Sequence, residues 1–253
     1  MRYFIRFIQI LYCVYAILLF CCFLLLMLPI VFISFLLGKK MGGNLIMYSA
    51  KRWADIWLIL IGIHHQKIFE VPLRKGVSYI FISNHNSYMD IPQILKAVPV
   101  SFRALGKAEA GNIPVFGWVY NSVVVTVLRS SAEARAKSLQ KLREVLNHGI
   151  SIYIAPEGTF NMSSEPLIPF FDGAFRLAIE TQTPVKPMLF LDALDRMHWR
   201  NLFTLNPGKL RTVYLEEVST EGYTIDDLPV FKEKIYRMME EKLISYRASW
   251  IVR

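Results

Sequence analysis

A histidine and an aspartate five positions apart, His85 and Asp90, sit in the segment Ser83-Asn84-His85-Asn86-Ser87-Tyr88-Met89-Asp90. Imidazole titrates near neutral pH, so a histidine whose tautomer is fixed by a carboxylate can take a proton from an alcohol. On a regular helix this spacing would hold the two side chains about 140° apart. They meet only if His85 lies in the turn before a helix and Asp90 in its first turn or two. The same residues also spell a helix start, with Ser87 and Asp90 as a capping pair and His85 as a loop residue.

The elements that position such a pair can be read around it. The segment follows Tyr79-Ile80-Phe81-Ile82, an apolar run with the pattern of a buried strand. A second candidate strand, Val123-Val124-Val125-Thr126-Val127-Leu128, ends in Arg129, whose guanidinium offers a fixed fork of donors to a phosphate or carboxylate. A third, Ile152-Tyr153-Ile154, ends in Ala155-Pro156-Glu157-Gly158-Thr159. There a carboxylate and a hydroxyl flank a residue that lets backbone approach a ligand closely. Lys107 and Glu109 precede the Gly/Pro-punctuated loop Gly111-Asn112-Ile113-Pro114-Val115-Phe116-Gly117. Ligands of open α/β sheets collect beyond the carboxyl ends of the strands, so three polar strand exits point to one shared site.

Strand patterns cover residues 79–82, 122–128, 151–155, 185–191 and 211–218. Helix patterns alternate with them. One covers about 89–97. Another opens with Ser130-x-x-Glu133 as a capping box, carries Leu139, Leu142 and Leu146 at helical spacing, and stops at Gly149. A third covers 174–181, ahead of Pro184, and the last runs over about 229–246 with Phe231, Ile235, Met238 and Leu243 in one stripe. Alternation with near-continuous apolar strands predicts an α/β domain with a mostly parallel sheet flanked by helices.

Residues 7–38 contain no charged side chain, well beyond the roughly 18 residues that mark a membrane segment. Arg2 and Arg6 precede the run, Lys39 and Lys40 follow it, and Pro29 kinks or divides it. It is too long for a cleaved signal peptide. The run therefore either spans a bilayer with tilt or bends back into one leaflet, and positive charge at both ends leaves its orientation open. Residues 44–63 carry Trp53 and Trp57 one turn apart among basic residues, as an interfacial helix or a core helix would. His64 and His65 close that segment and read as interfacial. Residues 1–66 are thus a membrane-associated helical segment and 67–253 the α/β domain.

The net charge of +9 calls for an anionic partner. The chain lacks basic blocks interleaved with aromatics and any nucleic-acid fold signature. A membrane surface accounts for the charge and the apolar run together. Cys13, Cys21 and Cys22 lie inside that run, without metal-ligand or disulfide spacing, and read as small hydrophobes.

Taken together, these blocks resemble the glycerolipid acyltransferases typified by bacterial 1-acylglycerol-3-phosphate acyltransferase. Asn84-His85-x-x-x-x-Asp90 is similar to the family's first block. Lys107, Pro114, Gly117 and Arg129 fall where its second block has a lysine, a Pro-x-x-Gly turn and an arginine. Pro156-Glu157-Gly158-Thr159 is similar to the third, and Phe171-x-Gly173-Ala174 followed by Pro184-Val185-Lys186-Pro187 to the fourth. The resemblance covers residues 68–246. It implies that His85, oriented by Asp90, is general base on the free hydroxyl of a lysolipid, which attacks an acyl thioester of coenzyme A or acyl carrier protein without a covalent acyl-enzyme, cofactor or metal. It assigns Lys107, Arg129, Glu157, Gly158 and Thr159 to substrate binding and places the enzyme in the bacterial inner membrane, with its active site on the cytoplasmic face. The product would be phosphatidic acid. Two positions depart from the pattern: Phe160 stands where the family usually has an arginine, and Asp172 where it often has a lysine. Both remove positive charge from the expected head-group pocket, and they leave a phosphate-free lysolipid, such as a lyso-aminolipid, as the alternative acceptor.

Overall fold

A computed structural model of the chain describes residues 1–127 and 131–251. Seven strands, β1 (Ile63–Phe69), β2 (Ile80–Ser83), β3 (Phe102–Lys107), β4 (Val124–Val127), β5 (Ser151–Ile154), β6 (Val185–Phe190) and β7 (Gly208–Tyr214), form one sheet in the order β1-β7-β6-β2-β5-β3-β4. All neighbours run parallel except β6 and β7. The mostly parallel sheet expected from the alternation is present, and β2, which leads into His85, occupies its centre.

The apolar N-terminal run is divided as Pro29 suggests. Helix α1 (Arg2–Leu26) ends at Met27, and α2 (Leu28–Leu36) carries Pro29 in its first turn, where a missing N–H costs nothing. Helix α3 (Gly38–Leu60) then returns to the sheet and buries Ile46, Met47, Trp57 and Leu58. With α4 (Asp90–Ala97) and α5 (Phe116–Val123) it covers the face that presents Phe81, Tyr153 and Tyr214. The opposite face, with Ile80, Ile82, Ile152, Val185 and Val213, is covered by α6 (Ala132–Asn147), α7 (Gly173–Thr181) and α9 (Leu228–Ser245). A short α8 (Ala193–Arg196) links β6 to β7. Central strands with apolar side chains on both faces need this double cover.

Several expectations require correction. Ser122 and Val123 belong to α5 rather than to the strand that follows it. Helix α6 is capped by the Ser131 side chain, which accepts from Ala134 N–H; Ser130, expected to open a capping box, lies outside the described residues. The buried stripe of α9 runs Phe231, Ile235, Met239 and Leu243, leaving Met238 half-buried. β7 starts three residues earlier than expected, because Gly208 to Tyr214 pair in register with β1.

His64 and His65 close no helix; they lie in β1, which runs through residues 66 and 67. His65 Nε2 meets Thr212 Oγ1 at 2.9 Å. Burial first, then the neighbouring charges of Lys67 and Lys96, push its imidazole down to about 3, so it is a neutral internal residue.

Candidate active site

The chain leaves β2 through Asn84, whose side-chain amide donates to Phe190 C=O at 3.0 Å and accepts from Phe190 N–H at 2.8 Å. This two-point clamp ties the exit of β2 to the end of β6. His85 follows in the turn, and Asp90 is the first residue of α4. That is the one arrangement in which a five-residue offset lets the side chains meet. His85 Nδ1 lies 2.7 Å from Asp90 Oδ2. The same oxygen accepts the backbone N–H groups of Asn86 and Ser87, both at 3.0 Å. The N-cap of α4 is Met89, without a side-chain cap, so the expected capping pair takes another form: the Asp90 carboxylate closes the turn before the helix and also faces the imidazole. Ser87 supports it from below, with its Oγ accepting from Met89 N–H at 3.0 Å and donating to Met197 C=O at 2.5 Å.

Asp90 is completely buried, whereas the His85 side chain keeps 23% of its surface exposed. An acceptor carboxylate at Nδ1 places the ring proton there and leaves the Nε2 lone pair free. Geometrically, the pair offers one partly exposed ring nitrogen with a buried carboxylate against the other.

Glu157 holds the next turn to this one. It is buried, with Oε1 accepting His85 N–H at 2.7 Å and Oε2 accepting Ile168 N–H at 3.1 Å. Asn161 N–H closes the loop by donating to His85 C=O at 2.7 Å. Gly158 adopts φ +67°, which a residue with a Cβ reaches only under strain, so the chain can reverse there. Thr159 is exposed beyond it. Burial pushes the Glu157 carboxyl up to about 8, while the N–H donors of Ile168 and His85 pull the other way. A carboxyl raised above its unfolded value of 4.5 gives stability that is full below that value and is lost as pH rises through about 8. Thermal stability of the native protein is expected to fall as pH rises across this window, and Glu157→Gln, which cannot ionise, should flatten the trend. Parallel pH profiles for the two proteins would refute the shift.

Lys107 ends β3 and is exposed, two strands from β2 and so roughly 10 Å along the sheet. Arg129 lies outside the described residues. The loop after Lys107 contains Val115 at φ 65°, ψ −55°, in a tight turn where Phe116 N–H reaches Pro114 C=O at 2.7 Å. A Cβ on Gly117 would intrude on the Gly111 carbonyl oxygen. Gly117→Ala is expected to cost about 1–3 kcal/mol through overpacking of two backbone segments, read as a lower midpoint in denaturant unfolding; an unchanged midpoint would refute the close packing.

The two positions that depart from the family pattern have different fates. Asp172 is 56% exposed and pairs with Lys232 of α9 at 2.6 Å, so its charge is matched within the protein. Phe160 packs against the imidazole itself, with ring centroids 4.5 Å apart and edge-on, and touches Tyr88 at 5.0 Å. Sequence spacing gave no sign of this contact, nor of Asn161 and Ile168. Among the described residues no group of three or more His, Cys, Asp or Glu side chains could hold a metal ion.

A family model described as acyltransferase matches residues 64–191. The 1-acyl-sn-glycerol-3-phosphate acyltransferase alpha of Mus musculus is 27% identical over 199 residues, covering 78% of this chain and 67% of its own length. The 1-acyl-sn-glycerol-3-phosphate acyltransferase of Saccharomyces cerevisiae is 27% identical over 211 residues, 82% of this chain and 68% of that one. An uncharacterized acyltransferase of Schizosaccharomyces pombe is 30% identical over 162 residues, 62% of this chain but 57% of its own. The crystal structure of the 1-acyl-sn-glycerophosphate (LPA) acyltransferase PlsC from Thermotoga maritima superposes with a TM-score of 0.75 at 21% identity, covering all of both chains. This last likeness is one of fold.

Proposed function

The chain belongs to the acyltransferase family, and from that premise we propose that it is a membrane-bound lysolipid O-acyltransferase. The acyl chain passes from a thioester of coenzyme A or acyl carrier protein to the free hydroxyl of 1-acylglycerol-3-phosphate, giving phosphatidic acid. The observation that carries the reading is the 2.7 Å contact between His85 Nδ1 and the buried Asp90 carboxylate, with the imidazole itself still partly exposed. In this mechanism His85 Nε2 takes the hydroxyl proton as the lipid oxygen attacks the thioester carbonyl carbon. The carbon–sulfur bond breaks, and the imidazolium returns the proton to the departing thiolate. No acyl group becomes attached to the protein. Glu157 serves the site through the backbone, holding the Gly158-Thr159 turn against His85, while Lys107 and Arg129 supply the positive charge for a head-group phosphate.

Residues 1–66 form the membrane segment in this reading, and 67–253 the catalytic domain. The stretch Tyr3–Leu36 is long and apolar enough to cross a bilayer. Yet α1 is fastened along its side: Tyr12 OH donates to Ile61 C=O at 2.6 Å and Trp57 Nε1 to Ala16 C=O at 3.0 Å within the segment, and Cys13 Sγ donates to Leu205 C=O of the domain at 3.6 Å. A helix attached in this way favours insertion into the leaflet that carries the domain over a free span.

The contact of Phe160 with His85 supports a second acceptor, a lysolipid without phosphate, because an apolar ring there offers an anionic head group nothing. Initial rates with lysophosphatidate and with a lyso-aminolipid, under identical detergent and donor conditions, separate the two. Strong preference for lysophosphatidate is expected, and preference for the phosphate-free acceptor would overturn the main reading.

A further inference from the structure

Between α8 and β7 the chain makes a short turn, His198-Trp199-Arg200-Asn201-Leu202-Phe203-Thr204-Leu205. Leu202 is 48% exposed and Phe203 45%. The turn is rigid. Asn201 Oδ1 accepts Phe203 N–H at 2.8 Å, Thr204 Oγ1 accepts His198 N–H at 2.8 Å, and the Asn206 amide donates to Asp195 C=O at 2.6 Å and Thr204 C=O at 3.2 Å. Two large apolar side chains are thus fixed facing outward rather than left to find shelter, which in water is unfavourable.

What lies beside them supplies the reason. Leu205 is buried, and its carbonyl accepts from Cys13 Sγ of α1 at 3.6 Å. Cys13 is itself buried, while Leu11 and Val14 on either side of it are 53% and 40% exposed. Cys13 stands six residues inside the charge-free stretch that begins at Phe7, or about 9 Å along a helix axis. A turn seated there shares the surroundings of α1. Its composition fits that setting from inside to outside: Leu202 and Phe203 apolar, Trp199 half-buried with the Arg200 guanidinium 4.9 Å from its ring, and Arg200 and Lys209 exposed. Aromatic rings at the head-group level with basic residues beyond them are what an anionic bilayer surface favours.

We propose that the 198–205 turn, seated against the middle of α1, is a second bilayer contact, inserting Leu202 and Phe203 into the acyl region of an anionic membrane while Trp199 and Arg200 sit among the head groups. This rests on the reading of α1 as membrane-embedded and extends it to the catalytic domain. The domain then has two fixed contacts with the bilayer on different elements, so it cannot swing about α1, and the site keeps one orientation toward lipid acceptors.

The test uses the full chain with Cys21→Ser and Cys22→Ser, Cys13 being buried and left in place. A nitrobenzoxadiazole label is attached at Phe203→Cys, at Leu202→Cys as a second variant should the first fold poorly, at Leu18→Cys on the exposed face of α1, and at Glu221→Cys in the turn before α9, across the sheet. Each is bound to phosphatidylglycerol–phosphatidylcholine vesicles carrying spin-labelled acyl chains. Blue-shifted emission and quenching are expected at 203 or 202 and at 18, with a water-like signal at 221. A water-like signal at both 203 and 202 with quenching at 18 would overturn this inference alone. A water-like signal at 18 as well would overturn the membrane reading beneath it.

Discussion

Replacing His85 with alanine is expected to lower acyl transfer by about 10²–10⁴-fold, the usual contribution of a positioned general base. The loss should fall on kcat, with KM for the acyl donor little changed, because the imidazole acts on the acceptor's proton. Folding should survive. Alanine loses the ring's contacts with Asp90 and Phe160 but retains the backbone ties of this turn, the residue-85 N–H to Glu157 and its C=O from Asn161. Initial rates combined with thermal unfolding check both halves. Near-native turnover by a folded His85→Ala protein would remove the general base from the account.

Asp90 should give the second large effect, and its two informative substitutions should differ. In Asp90→Asn an amide oxygen can still accept the Asn86 and Ser87 N–H groups, so the turn persists. The charge facing the imidazolium is gone, however, and the ring can adopt the wrong tautomer. The analogous change in a serine-protease triad lowers kcat about 10⁴-fold, which sets the upper end of the expected loss. Asp90→Ala also removes the oxygen that serves both backbone donors and His85 Nδ1. Buried donors without a partner cost about 1–3 kcal/mol each, so alanine should lower the melting temperature where asparagine does not. Equal melting temperatures for the two variants would show that the turn does not depend on this carboxylate.

The parts of the fold that were legible in the sequence are those with an apolar period. β2, β5 and β6 are buried on both faces; β2 and β5 read as near-continuous apolar runs, and β6 shows through Met188-Leu189-Phe190 despite Lys186 and Pro187. α6 and α9 carry stripes long enough to be seen, although the buried stripe of α9 passes through Met239 rather than Met238. β1 and β3 did not show, for separate reasons. β1 is an edge strand paired only with β7, so His64, Gln66 and Lys67 interrupt its pattern, and the two histidines resemble a helix end more than a strand. β3 is diluted by Arg103 and by Gly106, whose missing side chain leaves room for the Tyr120 hydroxyl.

The site divides in a similar way. The pairing of His85 and Asp90 was readable because a five-residue offset permits one geometry, a turn leading into a helix. The links that hold this turn were not readable. Glu157 acts on the backbone of His85 and Ile168, and Asn161 on the carbonyl of His85; backbone partners leave no mark on side-chain spacing. Nor does sequence reveal that the Asp172 charge is matched by Lys232, 60 residues away. The edge contact of Phe160 with the imidazole likewise exists only once the turns after β2 and β5 are brought together.

The central claim is that the lipid hydroxyl attacks the thioester directly, with His85 holding the proton. A single-turnover experiment with radiolabelled acyl thioester tests it most directly: purified protein is mixed with donor, with and without lysophosphatidate, quenched in acid, and separated into protein and lipid. Label is predicted to appear only in lipid, and thiol to be released only when acceptor is present. Acid-stable label on the protein, formed and lost at the turnover rate, would contradict the mechanism.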